Sequence, residues 1–143
     1  VWEGADRNCA RLLRERLTAE LAVHEAGDHF RELRNVGSPV HRVRSILTLM
    51  PTDTDQNWAA VGGRLRNLPG ALDGYRATLT EGIARGLVCA PRQARAVIGQ
   101  LTAWTGEDIG GASWFAEFVA GAPDRLGPEL DAAADRATTA VAG

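Results

Sequence analysis

Residues 7–34, RNCARLLRERLTAELAVHEAGDHFRELR, contain no proline and one glycine, and their apolar residues recur at intervals of three and four. That spacing predicts a single long helix, because 3.6 residues per turn stack such positions on one side of a cylinder. Two stripes result: Leu13, Leu17, Leu21 and on to His24, and Leu12, Ala19, Val23, Ala26, Phe30 and Leu33. A helix with one stripe lies on a surface, whereas one with two is expected to be packed on two sides. At 1.5 Å per residue it would be about 40 Å long, the width of a domain of this size, and so a central strut. If Leu17 and Leu21 are buried in that strut, replacing either by Ala should cost about 2–5 kcal/mol.

The rest of the chain is punctuated by Pro and Gly into shorter helical segments. Asn35-Val36-Gly37 ends the first helix, and Ser38-Pro39 opens a second, Ser as cap and Pro in the first turn. Val40, Val43, Ile46, Leu47 and Met50 make its expected buried face, with His41 at the surface, and Pro51 ends it. In the polar run Thr52–Asp55, Asp53 with Gln56 has capping-box spacing for a third helix carrying Trp58, Val61 and Leu65. Asn67-Leu68-Pro69 predicts a break and a fourth helix, with Leu72, Tyr75, Leu79 and Ile83 at helical spacing and Gly86 as its stop.

Pro91 opens a fifth helix with Ala94, Val97, Leu101 and Trp104 facing in, and Gly106 follows its end. After the Gly110-Gly111 loop, Trp114, Phe115, Phe118 and Val119 form a short apolar helix. That helix is either core or a face left for a partner. The last segment, from Leu126 to about Val141, is helical by Ala content but has a thin apolar face. No stretch alternates as a strand would. The expected fold is all-α: one domain over residues 1–143, an antiparallel bundle or array of six to seven helices around a long first helix.

Composition excludes several functions. Hydrophobic residues make up 45% and charged residues 24%, so the chain can build a core. A net charge of -2 gives no attraction to nucleic acid or to an anionic membrane. All 16 basic residues are Arg, scattered along the chain, which fits a GC-rich bacterial genome better than an anion-binding patch. Cys9 and Cys89 match no zinc or redox spacing and are expected to pack as small apolar residues. No apolar run is long enough to span a bilayer, and a cytoplasmic location is expected.

One cluster resembles a metal site: His24-Glu25-Ala26-Gly27-Asp28-His29. In HExxH the histidines are four apart, about 40° around a helix, and both reach one zinc. Here they are five apart, about 140° around, and on a continuous helix would point to different faces. His24 is better placed to pair with Asp28, as a core-edge histidine, with His29 exposed. No Ser or Cys nucleophile is tied to that pair by a motif, and Thr52–Asp55 lacks the Gly and terminal Glu of a calcium loop. The residues therefore assign no catalytic, cofactor-binding or metal-binding position to this chain.

Three separate stretches carry a resemblance: SPVHRVRSILTLMPTDTDQNW, LPGALDGYRATLTEGIARGLV and APRQARAVIGQL. In order and spacing, residues 17–101 resemble the N-terminal helical region of a bacterial family catalogued as domain of unknown function eight-eight-five. Members look like large, mostly helical zinc hydrolases of carboxypeptidase type, with an HExxH-type motif well downstream. The resemblance implies a non-catalytic N-terminal scaffold fragment of a longer peptidase-like protein. It needs no cofactor here, with zinc held only in the downstream part, and its apolar helix faces would meet the remainder of the parent chain or another protein. A chain that opens on Val1 and closes on Ala-rich sequence is consistent with that expectation. The alternative is a free-standing helical protein–protein interaction module.

Overall fold

A computed structural model describes residues 4–143. Its elements are α1 (Gly4–Glu25), a 3-10 turn (Asp28–Arg31), α2 (Pro39–Leu49), α3 (Asp55–Ala84), α4 (Pro91–Thr105), α5 (Trp114–Val119), a second 3-10 turn (Asp124–Leu126) and α6 (Gly127–Ala142). The fold is all-α, and among the described residues there is no strand and no helix long and apolar enough to cross a membrane. Two compact units divide the chain. One joins the residues through Glu32 with Thr78–Val88, and the other joins Leu33–Ala77 with Cys89–Gly143.

The second unit contains the buried core, and α3 is its spine. Val61, Leu65, Leu68 and Leu72 are buried at spacings of four, three and four, one continuous stripe along the helix. The expected break at Asn67-Leu68-Pro69 does not occur: Pro69 lies inside α3, which runs for 30 residues. A proline inside a helix costs about 3 kcal/mol through the lost N–H and the ring clash. Buried leucines on both sides of Pro69 offset that cost, since each fully buried Leu contributes about 1.5–3 kcal/mol. The cap is also displaced by one residue from the expected Asp53: the Asn57 N–H donates to Thr54 Oγ1 at 3.2 Å. Asp55 instead binds the Arg125 guanidinium, whose Nε donates at 2.9 Å. That contact raises the Arg125 pKa above its ordinary value, first through the hydrogen bond and then through the charge.

Val40 and Leu47 of α2 and Val97 and Trp104 of α4 belong to the same buried cluster as the α3 stripe. Ile46, expected inside, is 43% exposed. It lines a shallow cleft with Val43, Leu47 and Leu68. The thin face expected of the last helix proves to be a centre of the core. Leu130, Ala133, Ala134, Ala137 and Val141 of α6 are all buried, and α4 and α5 both pack on α6. Alanine there is an advantage, because a side chain of one carbon lets helix axes approach closely without leaving a void. Of the two readings open for Trp114 to Val119, core is the one observed: Phe115 and Val119 are buried, with Trp114 and Phe118 packed against them.

The first unit differs from expectation most. Residues 7–34 do not form one helix. α1 stops at Glu25 because Gly27 adopts a left-handed conformation, φ 74°, open to glycine at little cost. A side chain there would also place its Cβ 2.6 Å from Leu87 Cδ1. The chain then makes the turn Asp28–Arg31, sealed on Thr78–Val88 by close backbone approach. A Cβ on Gly82 would lie 2.8 Å from the Leu87 carbonyl oxygen, and the Leu87 N–H donates to the Gly82 carbonyl at 2.8 Å across the Gly86 stop. The Arg85 guanidinium carbon sits 4.5 Å from the Phe30 ring centre.

α1 itself buries no residue. Leu12, Leu13, Leu17, Leu21 and Val23 are each more than half exposed, and Cys9, expected to be packed, is exposed as well. The long first helix is therefore not the strut around which the others are arranged. α3 has that role.

Candidate functional site

The break at Gly27 changes the geometry of the metal-like cluster. Instead of pointing to different faces, the His24 and His29 rings stack, centres 4.4 Å apart and planes 9° from parallel. The turn after Gly27 folds His29 back over the last turn of α1, and Phe30 packs on the other partner, 4.0 Å from His29. Nearly parallel rings direct their nitrogen lone pairs side by side. Two imidazoles on one tetrahedral zinc must converge on a point about 2.0–2.1 Å from each nitrogen. Among the described residues, no group of three His, Cys, Asp or Glu side chains is placed to hold a metal ion. Asp28 does not pair with His24; its carboxylate accepts from Arg31 Nε at 3.0 Å and Nη2 at 2.5 Å. His29 is half-buried rather than exposed, and its Nδ1 is buried without a hydrogen-bond partner.

A second histidine is more tightly built into the protein. His41, expected at the surface, is half-buried on the first turn of α2. Its Nδ1 lies 2.7 Å from Ser38 Oγ and its Nε2 lies 2.8 Å from Gln100 Oε1. The tautomer follows from the network. Gln100 Nε2 donates at 3.0 Å to the Asn35 carbonyl, which can only accept, so the oxygen of that amide faces His41. Neutral His41 therefore carries its proton on Nε2, and the Ser38 hydroxyl donates to Nδ1. Gln93 closes the set by accepting from the Asn35 N–H at 2.7 Å.

Ser38, His41 and Gln100 stand in the order of nucleophile, base and orienter. Chemistry at Ser38 is blocked by burial: the residue is 0% exposed, so no substrate carbonyl can reach its Oγ. The chain of bonds acts as a polar brace. It ties the turn at Asn35 and the start of α2 to α4, and the Trp104 edge closes it at 5.7 Å from His41. Sequence spacing could not reveal it, since His41 and Gln100 are 59 positions apart. A similar brace joins α5 to α6. Ser113 caps α5 by accepting from the Ala116 N–H at 3.1 Å, and its hydroxyl lies 2.7 Å from that of Thr138.

Among the described residues, the large apolar side chains of α1 stand exposed. Its apolar residues form two shallow grooves. One is lined by Ala10, Leu13, Leu17 and Leu21, the other by Leu12, Leu13, Leu17, Ala19 and Val23, so that Leu13 and Leu17 belong to both. On a helix of 100° per residue, the Leu13, Leu17, Leu21 stripe and the Leu12, Ala19, Val23 stripe are centred about 140° apart, and the shared leucines join them into one broad apolar band. Arg11, Arg14, Arg16, Glu15 and Glu20 lie between and beside them. Together the grooves leave a broad apolar surface exposed along α1.

Residues 2–143 match the model of the family described as bacterial protein of unknown function (DUF885). The chain belongs to that family. No curated protein matches it. As a DUF885 chain it contributes helices, two buried polar braces and an uncovered apolar helix, and the DUF885 description itself assigns no activity.

Proposed function

We propose that this DUF885 region is a non-catalytic helical scaffold within a longer, zinc-dependent, peptidase-like protein, with α1 as the edge that receives the remainder of that chain. The observation that carries the reading is the two-sided apolar character of an uncovered helix. Five large apolar side chains, each more than half exposed, exceed the scattered singles of an ordinary surface. Their distribution favours one occupant over another. An apolar band this broad is covered more fully by enclosure in a larger body than by a second copy or a small partner laid along one side. The zinc and peptidase character of that body rests on the sequence resemblance. Neither Cys9 nor Cys89 is paired, which fits a reducing compartment, and we place the protein in the cytoplasm.

Amide hydrogen exchange tests the reading. α1 amides should exchange rapidly in residues 1–143 alone and be protected in the full-length gene product, while α3 and α6 are protected in both. Equal, low protection of α1 in the full-length product would overturn the docking role. Chelator-sensitive peptide hydrolysis by residues 1–143 alone would overturn the non-catalytic one.

A further inference from the structure

The guanidinium of Arg44, on α2, is held by two aromatic rings. Its central carbon lies 5.2 Å from the centre of the Trp104 indole on α4 and 4.8 Å from that of the Trp114 indole on α5. Both distances are within the range of cation–π attraction, for which Trp is the strongest partner. Trp114 is fixed in turn by stacking on Phe118, 5.2 Å away and 17° from parallel, and by the edge of Phe115 at 5.3 Å. Trp104 is buried, and its ring meets the braced His41. A side chain with four rotatable bonds is thus held where it stands.

Its hydrogen-bonding capacity is unused. Unlike Arg31, Arg66, Arg76, Arg85 and Arg125, each of which bonds a carboxylate, Arg44 has no acceptor on the protein among the described residues. His29 Nδ1 is the buried side-chain nitrogen or oxygen without a partner there, so the unpartnered nitrogens of half-buried Arg44 reach the solvent. The cation therefore sits over two indole rings while its N–H donors stay open to an acceptor from outside the protein.

We propose that Arg44, Trp104 and Trp114 form a binding site for a carboxylate carried on an apolar group. A planar carboxylate meets the fork edge-on with two parallel hydrogen bonds. A tetrahedral phosphate would bring further charged oxygens out of that plane toward the electron-rich indole faces, which repel them. The half-buried Trp114 and Phe118 rings beside the fork offer a surface for the apolar group that bears the carboxylate. Arginine suits the position better than lysine because it alone combines a stacking face with a bidentate edge. The carboxylate could be that of a free organic acid or of a Glu side chain in a peptide, and the two sources are separated by the choice of probe.

The test is a titration of residues 1–143 followed by the Arg Nε–H and Trp Nε1–H resonances, at constant ionic strength. The probes are benzoate, the peptide acetyl-Phe-Glu-amide and inorganic phosphate. Saturable shifts at Arg44, Trp104 and Trp114 are expected with benzoate or the peptide, the tighter of the two giving the source, and at least tenfold weaker binding of phosphate. R44K, which keeps the charge and loses the fork, should weaken binding at least tenfold. If R44K loses the dispersed spectrum of the folded chain, W114L replaces it and should weaken binding likewise. No saturable shift with either carboxylate, equal binding of phosphate, or full binding by whichever variant remains folded would overturn the proposal.

Discussion

A leucine pair separates the two kinds of helix in this protein. Leu65 of α3 is 0% exposed within the core stripe, and Leu17 of α1 is 54% exposed with no buried residue on its helix. Leu65→Ala removes fully buried methyl groups and leaves a space that the surrounding helices fill only in part, a loss of about 2–5 kcal/mol. Leu17→Ala starts from a side chain whose full burial would contribute about 1.5–3 kcal/mol. More than half of its surface is already in water, and the lost apolar area is partly offset because Ala is the better helix former. The expected cost is under about 1 kcal/mol. Urea unfolding of residues 1–143, followed by the far-ultraviolet helix signal and by tryptophan fluorescence, measures both. Three of the four tryptophans, Trp58, Trp104 and Trp114, lie in the core unit, so fluorescence reports chiefly on that unit. A Leu17→Ala cost equal to that of Leu65→Ala would refute the reasoning, since it would require α1 to be covered in solution.

Three further substitutions probe features that carry the fold. His41→Ala strands the buried Ser38 hydroxyl and the Gln100 carbonyl oxygen and should cost about 1–3 kcal/mol in the same unfolding experiment; an unchanged midpoint would mean that the brace contributes nothing. Gly27→Ala forces a side chain into a left-handed conformation and against Leu87, at about 1–3 kcal/mol, and should speed amide exchange across residues 26–31 before it affects α6. Pro69→Ala restores an N–H to the middle of α3 and should stabilise the chain by about 1–2 kcal/mol, the helical gain being reduced by the looser unfolded state. A less stable Pro69→Ala chain would show that the proline ring itself is a packing element.

The all-α class was legible because every apolar run has helical spacing and turns are marked by Gly at Gly37, Gly86 and Gly106, each of which has positive φ in the structure. The errors have physical causes. Helical spacing continues past Gly27, whereas the left-handed turn that calls for glycine there, with Leu87 from 60 positions away packed against it, is set by the folded chain. Pro69 was read as a break because local propensity says so, whereas the leucine stripe that overrides it is a tertiary effect. At the candidate sites the same division holds. His24 and His29 could be judged from spacing alone only if the helix were continuous, and the Ser38–His41–Gln100 brace and the Arg44 clamp are assembled from elements remote in sequence.

α1 shows most clearly what an apolar pattern means. Periodicity records that a side of a helix is destined to be buried and is silent about what buries it. In α3 the stripe shares one buried cluster with residues of α2, α4, α5 and α6, and its leucines are sealed. In α1 an equally regular pattern, on two sides, meets water. Full burial of each of those leucines would contribute about 1.5–3 kcal/mol, and an exposed apolar band favours association. The pattern on α1 is what the proposed docking role rests on: the same periodicity that is sealed in α3 stands open in α1, and a band this broad calls for an occupant that wraps the helix instead of lying along one side of it.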